Sequence, residues 1–198
     1  MVQVPMVDPF QRFAAWYADA VKAIPEEPNA MVLSTVGEGG RPSARVVLLK
    51  GFDARGFVFY TNLESRKGSE LAAHPAAALT FYFRPLHRQV RVEGQAEAVS
   101  AQEADDYFAT RPRGSQVGAW ASAQSAPLPS RATLEARVAQ VEAEYQGKPV
   151  PRPPHWSGFR LVPHRIEFWV GRENRLHERE VFTREGPSAR WTSQHLYP

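Results

Sequence analysis

The hydrophobic and polar positions along this chain change period several times, and each change marks an element. Asp8 can cap free amides, and Pro9 is preset for a first helical turn. Phe10, Phe13, Ala14, Tyr17, Val21 and Ile24 then recur at helical spacing until Pro25, which predicts an amphipathic helix over about 8–24. From Ala30 the sequence turns β-branched and apolar, predicting strands at 30–36, 43–50 and 56–60. Gly37, Gly39 and Gly40 supply the first turn and Asp53 to Gly56 the second, both short enough for antiparallel hairpins. The glycine cluster lacks the Lys-Ser/Thr ending and following helix of a phosphate loop, so it reads as a plain turn.

Ser65 opens a short helix to about Ala73, followed by strands at 76–83 and 87–99. In the second of these, Val90, Val92, Ala96 and Ala98 alternate with Gln89, Arg91, Glu93 and Gln95, giving one apolar and one polar face. A capping box at Ser100 to Glu103 predicts a helix to about Thr110, and Ser130 opens another to about Tyr145. The segment between them reads as irregular. Pro149, Pro151, Pro153 and Pro154 form an extended linker too short to separate two domains. Final strands are predicted at about 158–162, 165–170, 175–182 and 190–193. Short strands joined by hairpins, with a few peripheral helices, predict a mainly β single domain over 1–198, built as an antiparallel barrel and not from parallel βαβ units.

Composition narrows the chemistry. With 198 residues, 43% of them hydrophobic, the chain can bury one sizeable core. It has no cysteine, which excludes disulfides, thiolate metal sites and cysteine nucleophiles and fits a cytoplasmic protein. Residues 1–9 lack the basic and apolar regions of a leader, and no apolar run approaches the ~18 residues of a membrane span. The net charge of +3 is spread along the chain and not gathered into a stripe, which argues against nucleic acid. The histidines lack metal-ligand spacing, and neither a Gly-x-Ser-x-Gly elbow nor a Gly-x-Gly-x-x-Gly turn follows a strand.

Five places remain where anions or a planar ligand fit. Arg175, His177 and Arg179 share one face of the predicted strand, either a solvated face or an anion patch. Trp169 stands on a polar face with Arg165 and Glu167, as a snorkelling aromatic or as a wall for a ring. Arg45 and Lys50 flank Val46, Val47, Leu48 and Leu49; five apart, they reach one ligand only if the strand is bulged or Lys50 lies at its end. Ser65, Arg66 and Lys67 combine a hydroxyl, free amides and two cations at a helix start. Tyr107 and Arg111 share a helix face with Ser115 just beyond, forming a second anion pocket or a surface pair.

Taken in order, these segments resemble the pyridoxamine 5'-phosphate oxidase family from about Asp8 to Pro198. The landmarks are Arg45-Val-Val-Leu-Leu-Lys50, Phe59-Tyr-Thr-Asn62, Ser65-Arg-Lys67, Arg88-Gln-Val90, Tyr107-Phe-Ala-Thr-Arg-Pro-Arg-Gly-Ser115, Gly118-Ala-Trp120, Gln124-Ser125, Ile166-Glu-Phe-Trp169 and Arg175-Leu-His177. The resemblance implies a split β-barrel homodimer with flavin mononucleotide (FMN) in a cleft at the subunit interface. It implies FMN contacts from Arg45 through Lys50, and from Tyr60, Thr61, Arg66, Lys67, Gln89, Gln124, Ser125, Trp169 and Arg179. It places the substrate phosphate on Lys50, Tyr107, Arg111 and Ser115, and the pyridine ring beside Arg175, Leu176 and His177, with Arg175 and His177 aligning the donor carbon. The implied reaction oxidises pyridoxamine or pyridoxine 5'-phosphate to pyridoxal 5'-phosphate and reduces dioxygen to hydrogen peroxide. A phenazine-precursor oxidase of the same fold, or a non-catalytic carrier of flavin or pyridoxal phosphate, are the alternatives. The pyridoxamine 5'-phosphate oxidase reading hangs on two anion-holding pockets sharing a single cleft, with the side chains of Arg66 and Arg111 facing one common cavity. Glu178, Ser157, Arg172 and His195 depart from the family's usual residues and affect the geometry of the C-terminal strands.

Overall fold

The computed structural model describes residues 8–198, so most of the stretch read as lacking a leader, residues 1–7, lies outside the described residues. The first helix, α1 (Pro9–Ala23), starts where Asp8 accepts a hydrogen bond from the Phe10 amide at 2.9 Å. Its buried stripe is Phe10, Phe13, Trp16 and Ala20, rotated from the expected one, and Val21 is exposed. Phe13 sets its ring against Phe52, Phe57 and Phe81, so the helix closes one side of the barrel core.

All strand pairs are antiparallel: β1 (Ala30–Val36), β2 (Pro42–Leu48), β3 (Gly51–Asp53), β4 (Gly56–Asn62), β5 (Ala76–Phe83), β6 (Arg88–Ala98), β7 (Trp156–Val170), β8 (Glu178–Thr183) and β9 (Thr192–Leu196). They run in the order β2-β1-β5-β6-β7-β4-β3, with β8 and β9 continuing from β7. The split lies in β7. Its first half, Trp156 to Leu161, pairs with β4, and its second half, Arg165 to Val170, pairs with β8, while β6 runs along both halves. The two strands predicted there are therefore one. Pro163 interrupts the pattern but does not end the strand, because the register shifts between Glu93 and Gly94 of β6 to absorb it. Gly94 permits this contact: a Cβ there would lie 2.2 Å from the Val162 carbonyl oxygen.

Other elements differ from expectation: β3 is unexpected, and the strand predicted at 56–60 runs on to Asn62. The strand predicted at 43–50 ends at Leu48, the one predicted at 175–182 begins only at Glu178, and the last is displaced to Thr192–Leu196. The segment read as irregular contains a helix, α4 (Arg113–Ala121), between α3 (Ala101–Thr110) and α5 (Arg131–Glu144). With α2 (Arg66–Ala73) these complete the α-helices among the described residues. Two buried clusters result. One fills the barrel with Leu33, Phe59, Leu79, Phe81, Val92, Ile166 and Phe168; the other, Phe108, Val117, Ala121, Val141, Val150 and Trp156, lies under α3, α4 and α5. No described helix is long and apolar enough to cross a membrane.

Candidate active site

Where the helices meet the barrel, a cleft of about 450 Å³ is lined by Val46, Val47 and Leu48 of β2, Lys50, Tyr60 to Asn62 of β4, Lys67 of α2, Tyr107, Thr110 to Pro112, Ser115, Gln124 and Trp156. This arrangement answers the question left open by the spacing of Arg45 and Lys50. Lys50 lies past the end of β2, where its amide donates to the Val58 carbonyl at 2.8 Å, so it escapes strand alternation and joins the cleft. Arg45 stays on the strand and turns elsewhere.

Two half-buried cations in the cleft lack anionic partners among the described residues. Lys67 Nζ donates to Thr61 Oγ1 at 3.1 Å, Ser65 Oγ at 3.2 Å and Gln124 Oε1 at 2.8 Å, all neutral acceptors. Burial, reinforced by the charge of Arg45, holds the Lys67 ammonium below the ordinary lysine value. Arg111 is pushed in the same direction by burial, and its buried Nη1 finds no hydrogen-bond acceptor. A bound anion would relieve both. At the start of α2, Ser65 Oγ caps the Gly68 amide and Ser125 Oγ accepts from the Arg66 amide at 3.2 Å, with Ser125 held at φ 74°.

Arg45 and Arg66 converge instead on one buried carboxylate. Glu70 receives Arg45 Nη2 and Arg66 Nε, each at 2.9 Å, and the Thr35 hydroxyl at 2.5 Å. Burial alone would raise the Glu70 pKa, but these three donors outweigh it and hold the carboxyl below its usual range. Arg66 opens onto a separate groove beside Gly37, Glu38 and His74. The expectation that Arg66 and Arg111 share a cavity is therefore not met within this chain. Lys67, the next residue, shares the cleft with Arg111, because one step along α2 turns the side chain by about 100°.

A second group of predicted residues lies on the sheet beyond the cleft. Gln89, Trp169 and Arg179 are lateral neighbours across β6, β7 and β8. Arg179 grips buried Glu167 through Nε at 2.8 Å and Nη2 at 3.1 Å. Burial raises the Glu167 pKa, but Arg179, Arg91 and Arg165 together hold it below the carboxylate norm. The expectation that Arg175, His177 and Arg179 alternate along one strand face is overturned. Glu173–Arg175 forms a 3-10 turn with Asn174 at φ 54° and Arg175 at φ 61°, and the strand starts after His177. A non-glycine residue at positive φ costs on the order of 1 kcal/mol, and such strain persists where the surroundings impose it. His177 still meets Trp169: the ring centroids are 4.6 Å apart, and Nδ1 accepts the Arg172 amide at 3.2 Å. Leu176 is exposed beside them.

Sequence reasoning misses Asn62, Thr110, Pro112 and Trp156 as cleft residues. Periodicity gives no signal for the first three. Trp156 opens a strand after a proline run, a place where a large aromatic is equally expected to pack.

A family model described as pyridoxamine 5'-phosphate oxidase matches residues 17–145, and one described as pyridoxine 5'-phosphate oxidase C-terminal dimerisation region matches residues 156–198. The chain is 66% identical over 191 residues to pyridoxine/pyridoxamine 5'-phosphate oxidase of Myxococcus xanthus strain DK1622, covering 96% of this chain and 92% of that protein. It is 59% identical over 191 residues to the protein of the same name from Rubrobacter xylanophilus, covering 96% and 87%. Among solved structures, PhzG from Burkholderia lata 383 in complex with tetrahydrophenazine-1-carboxylic acid superposes with a TM-score of 0.91 at 35% identity, over 98% of this chain and 95% of that one. A pyridoxamine 5'-phosphate oxidase-related, FMN binding protein from Nostoc punctiforme PCC 73102 shares the fold, with a TM-score of 0.78 at 18% identity over 98% and 100% of the two chains. Two family models that together span most of the chain, full-length relatives and a common split-barrel fold agree: the chain belongs to the pyridoxamine 5'-phosphate oxidase family.

Proposed function

We propose that this protein is a cytoplasmic, FMN-dependent oxidase of pyridoxamine 5'-phosphate and pyridoxine 5'-phosphate, working as a homodimer whose chains each form a single domain. The alcohol ester and dioxygen give pyridoxal 5'-phosphate and hydrogen peroxide; the amine ester also consumes water and releases ammonia. The observation that carries this reading is the pairing of Lys67 and Arg111, two half-buried cations without carboxylate partners, in one cleft with polar and aromatic walls.

The cleft residues fit FMN. Lys67 and the amides at the start of α2 suit its phosphate, while Thr61 and Gln124 supply polar edges for a ring and Val46 to Leu48 and Tyr60 an apolar surround; Leu49 is buried in the barrel core instead. Arg45 and Arg66 add charge there only while sharing it with Glu70. FMN bound in the cleft supplies the two-electron chemistry. Arg111, with Lys50, Tyr107 and Ser115, takes the ester phosphate, whose binding energy holds the reacting carbon in place.

Register supports the dimer. Val46 pairs with Val32, Val32 with Thr80, and Tyr82 with Gln89, so exposed Val32, Val46 and Tyr82 share a sheet face with Gln89 and Trp169. Covering that apolar face with a second copy brings Gln89, Trp169, Arg175, Leu176, His177 and Arg179 of one protomer to the cleft of its partner.

The 35% identity to PhzG favours a second reading, a phenazine-precursor oxidase. Anaerobic addition of pyridoxine 5'-phosphate should bleach the flavin, and aerobic addition should release peroxide. Equal rates with unphosphorylated pyridoxine would reject the phosphate-ester reading in favour of the second.

A further inference from the structure

We propose that Trp156 is the positioning residue that sets selectivity for a phosphorylated substrate, by carrying the Arg111 guanidinium on its ring face and leaving its charge unspent. The proposal rests on the placement of Arg111 at the ester phosphate and adds how that arginine is kept ready.

Other buried or half-buried arginines, Arg184 excepted, show the usual solution. Arg45 is held by Glu70, Arg160 by Asp53 and Glu103, Arg179 by Glu167 and Arg152 by Asp105. Each such pair is close to neutral and has spent donors on its carboxylate. Arg111 differs. Its side chain donates to no acceptor among the described residues; its guanidinium carbon lies 4.8 Å from the Trp156 ring centroid and 5.6 Å from that of Phe108. A ring face attracts a cation through its quadrupole without accepting any N–H, so no donor is spent on a protein acceptor and the full charge remains for a phosphate. Arg184 also lies over a tryptophan, Trp191, but gives Nε to the Pro163 carbonyl and Nη1 to that of Pro187, and does not line the cleft.

The Trp156 plane is itself fixed from several sides. It stacks on Tyr60 with centroids 5.3 Å apart and planes within 2°, and Tyr60 stacks on Tyr107 at 4.1 Å. Phe108 meets Trp156 edge-on at 5.0 Å, and Arg152 Nη1 holds the Trp156 carbonyl at 2.8 Å. Gly158, the register partner of Tyr60, makes room for the stack, since a Cβ there would come within 2.7 Å of the Tyr60 ring. The ladder therefore connects the wall of the cleft to the one half-buried cation in it that has no side-chain hydrogen-bond partner among the described residues.

The test uses the FMN-loaded dimer with pyridoxine 5'-phosphate and pyridoxine as paired substrates and inorganic phosphate as a competitor. Trp156→Leu should lower the ester-to-pyridoxine ratio of kcat/KM by about 3- to 30-fold, through the KM for the ester more than through kcat, and weaken phosphate inhibition by the same factor. Trp156→Phe keeps a ring with a weaker face, so it should give a smaller loss of about 2-fold confined to the ester, and it keeps the test readable if Trp156→Leu does not fold. A merely structural tryptophan would depress both substrates together and leave the ratio and the phosphate inhibition unchanged, which would overturn the proposal. If the wild-type enzyme does not discriminate ester from pyridoxine, the substrate reading fails and the proposal falls with it. Normal wild-type discrimination that neither variant alters would sink the positioning role alone.

Discussion

The cleft and the sheet face around Trp169 carry similar side chains, arginines and aromatics, yet the fold treats them differently. In the cleft, β2, β4, α2, α3, α4 and the start of β7 converge, and the cations Lys67 and Arg111 are half-buried without carboxylate partners among the described residues. Around Trp169, the side chains come from three adjacent strands and a strained loop, and Arg179 is already neutralised by Glu167. Enclosure without charge compensation prepares the first region to receive an anion from within one chain. The second has its charge settled and its surface open, which suits a region completed by another protomer.

That contrast can be broken at several points. Glu70→Ala, which strips the carboxylate from Arg45 and Arg66, should cost about 3 kcal/mol of stability, read as a shift in the denaturation midpoint. A near-neutral result would show that the phosphate region does not depend on this clamp. Its pH dependence has a definite sign. Because the folded Glu70 pKa lies below the ordinary carboxylate value, the stabilisation is present above that ordinary value and is lost as pH falls through the lower folded value, so Glu70→Gln should flatten the acid limb of stability. Arg111→Ala should reduce kcat/KM for the ester on the order of 100-fold while flavin stays bound. Arg175→Ala should lower kcat about tenfold, again with flavin bound; release of flavin would move that residue from substrate to cofactor. In the alkaline range, FMN affinity should begin to fall at a pH below the ordinary lysine value, because burial favours the neutral form of Lys67, and Lys67→Met should abolish that limb. The smallest effect is expected at the exposed pair Arg172 and Glu178, Nε to Oε1 2.8 Å, which closes the Arg175 loop: Arg172→Gly should leave the denaturation midpoint nearly unchanged and change kcat only slightly.

Local chemistry made much of the fold legible. Asp8, Ser65, Ser100 and Ser130 each announce a helix, and each side chain caps one. The helix that escaped, α4, begins after Pro112 without a side-chain cap and contains Gly114 and Gly118, both of which weaken the signal. The continuity of β7 through Pro163 depends on Gly94, more than sixty residues away, and no local pattern can show that. The site was legible as a set of residue types, and less so as geometry. Spacing left Lys50 undecided until the end of β2 was seen, and Asn174 and Arg175 at positive φ removed the strand on which three side chains were expected to align. Trp156 stayed hidden because its value lies in what it leaves free on Arg111.

The claim that cleft and sheet face complete one site between two protomers is tested most directly by mixing two impaired variants. Each heterodimer of Arg111→Ala and Arg175→Ala protomers carries one doubly altered site and one with both residues intact, so it should regain about half of the wild-type rate with pyridoxine 5'-phosphate. Activity no higher than that of either variant alone would mean that both residues serve the same chain's cleft, contradicting the account.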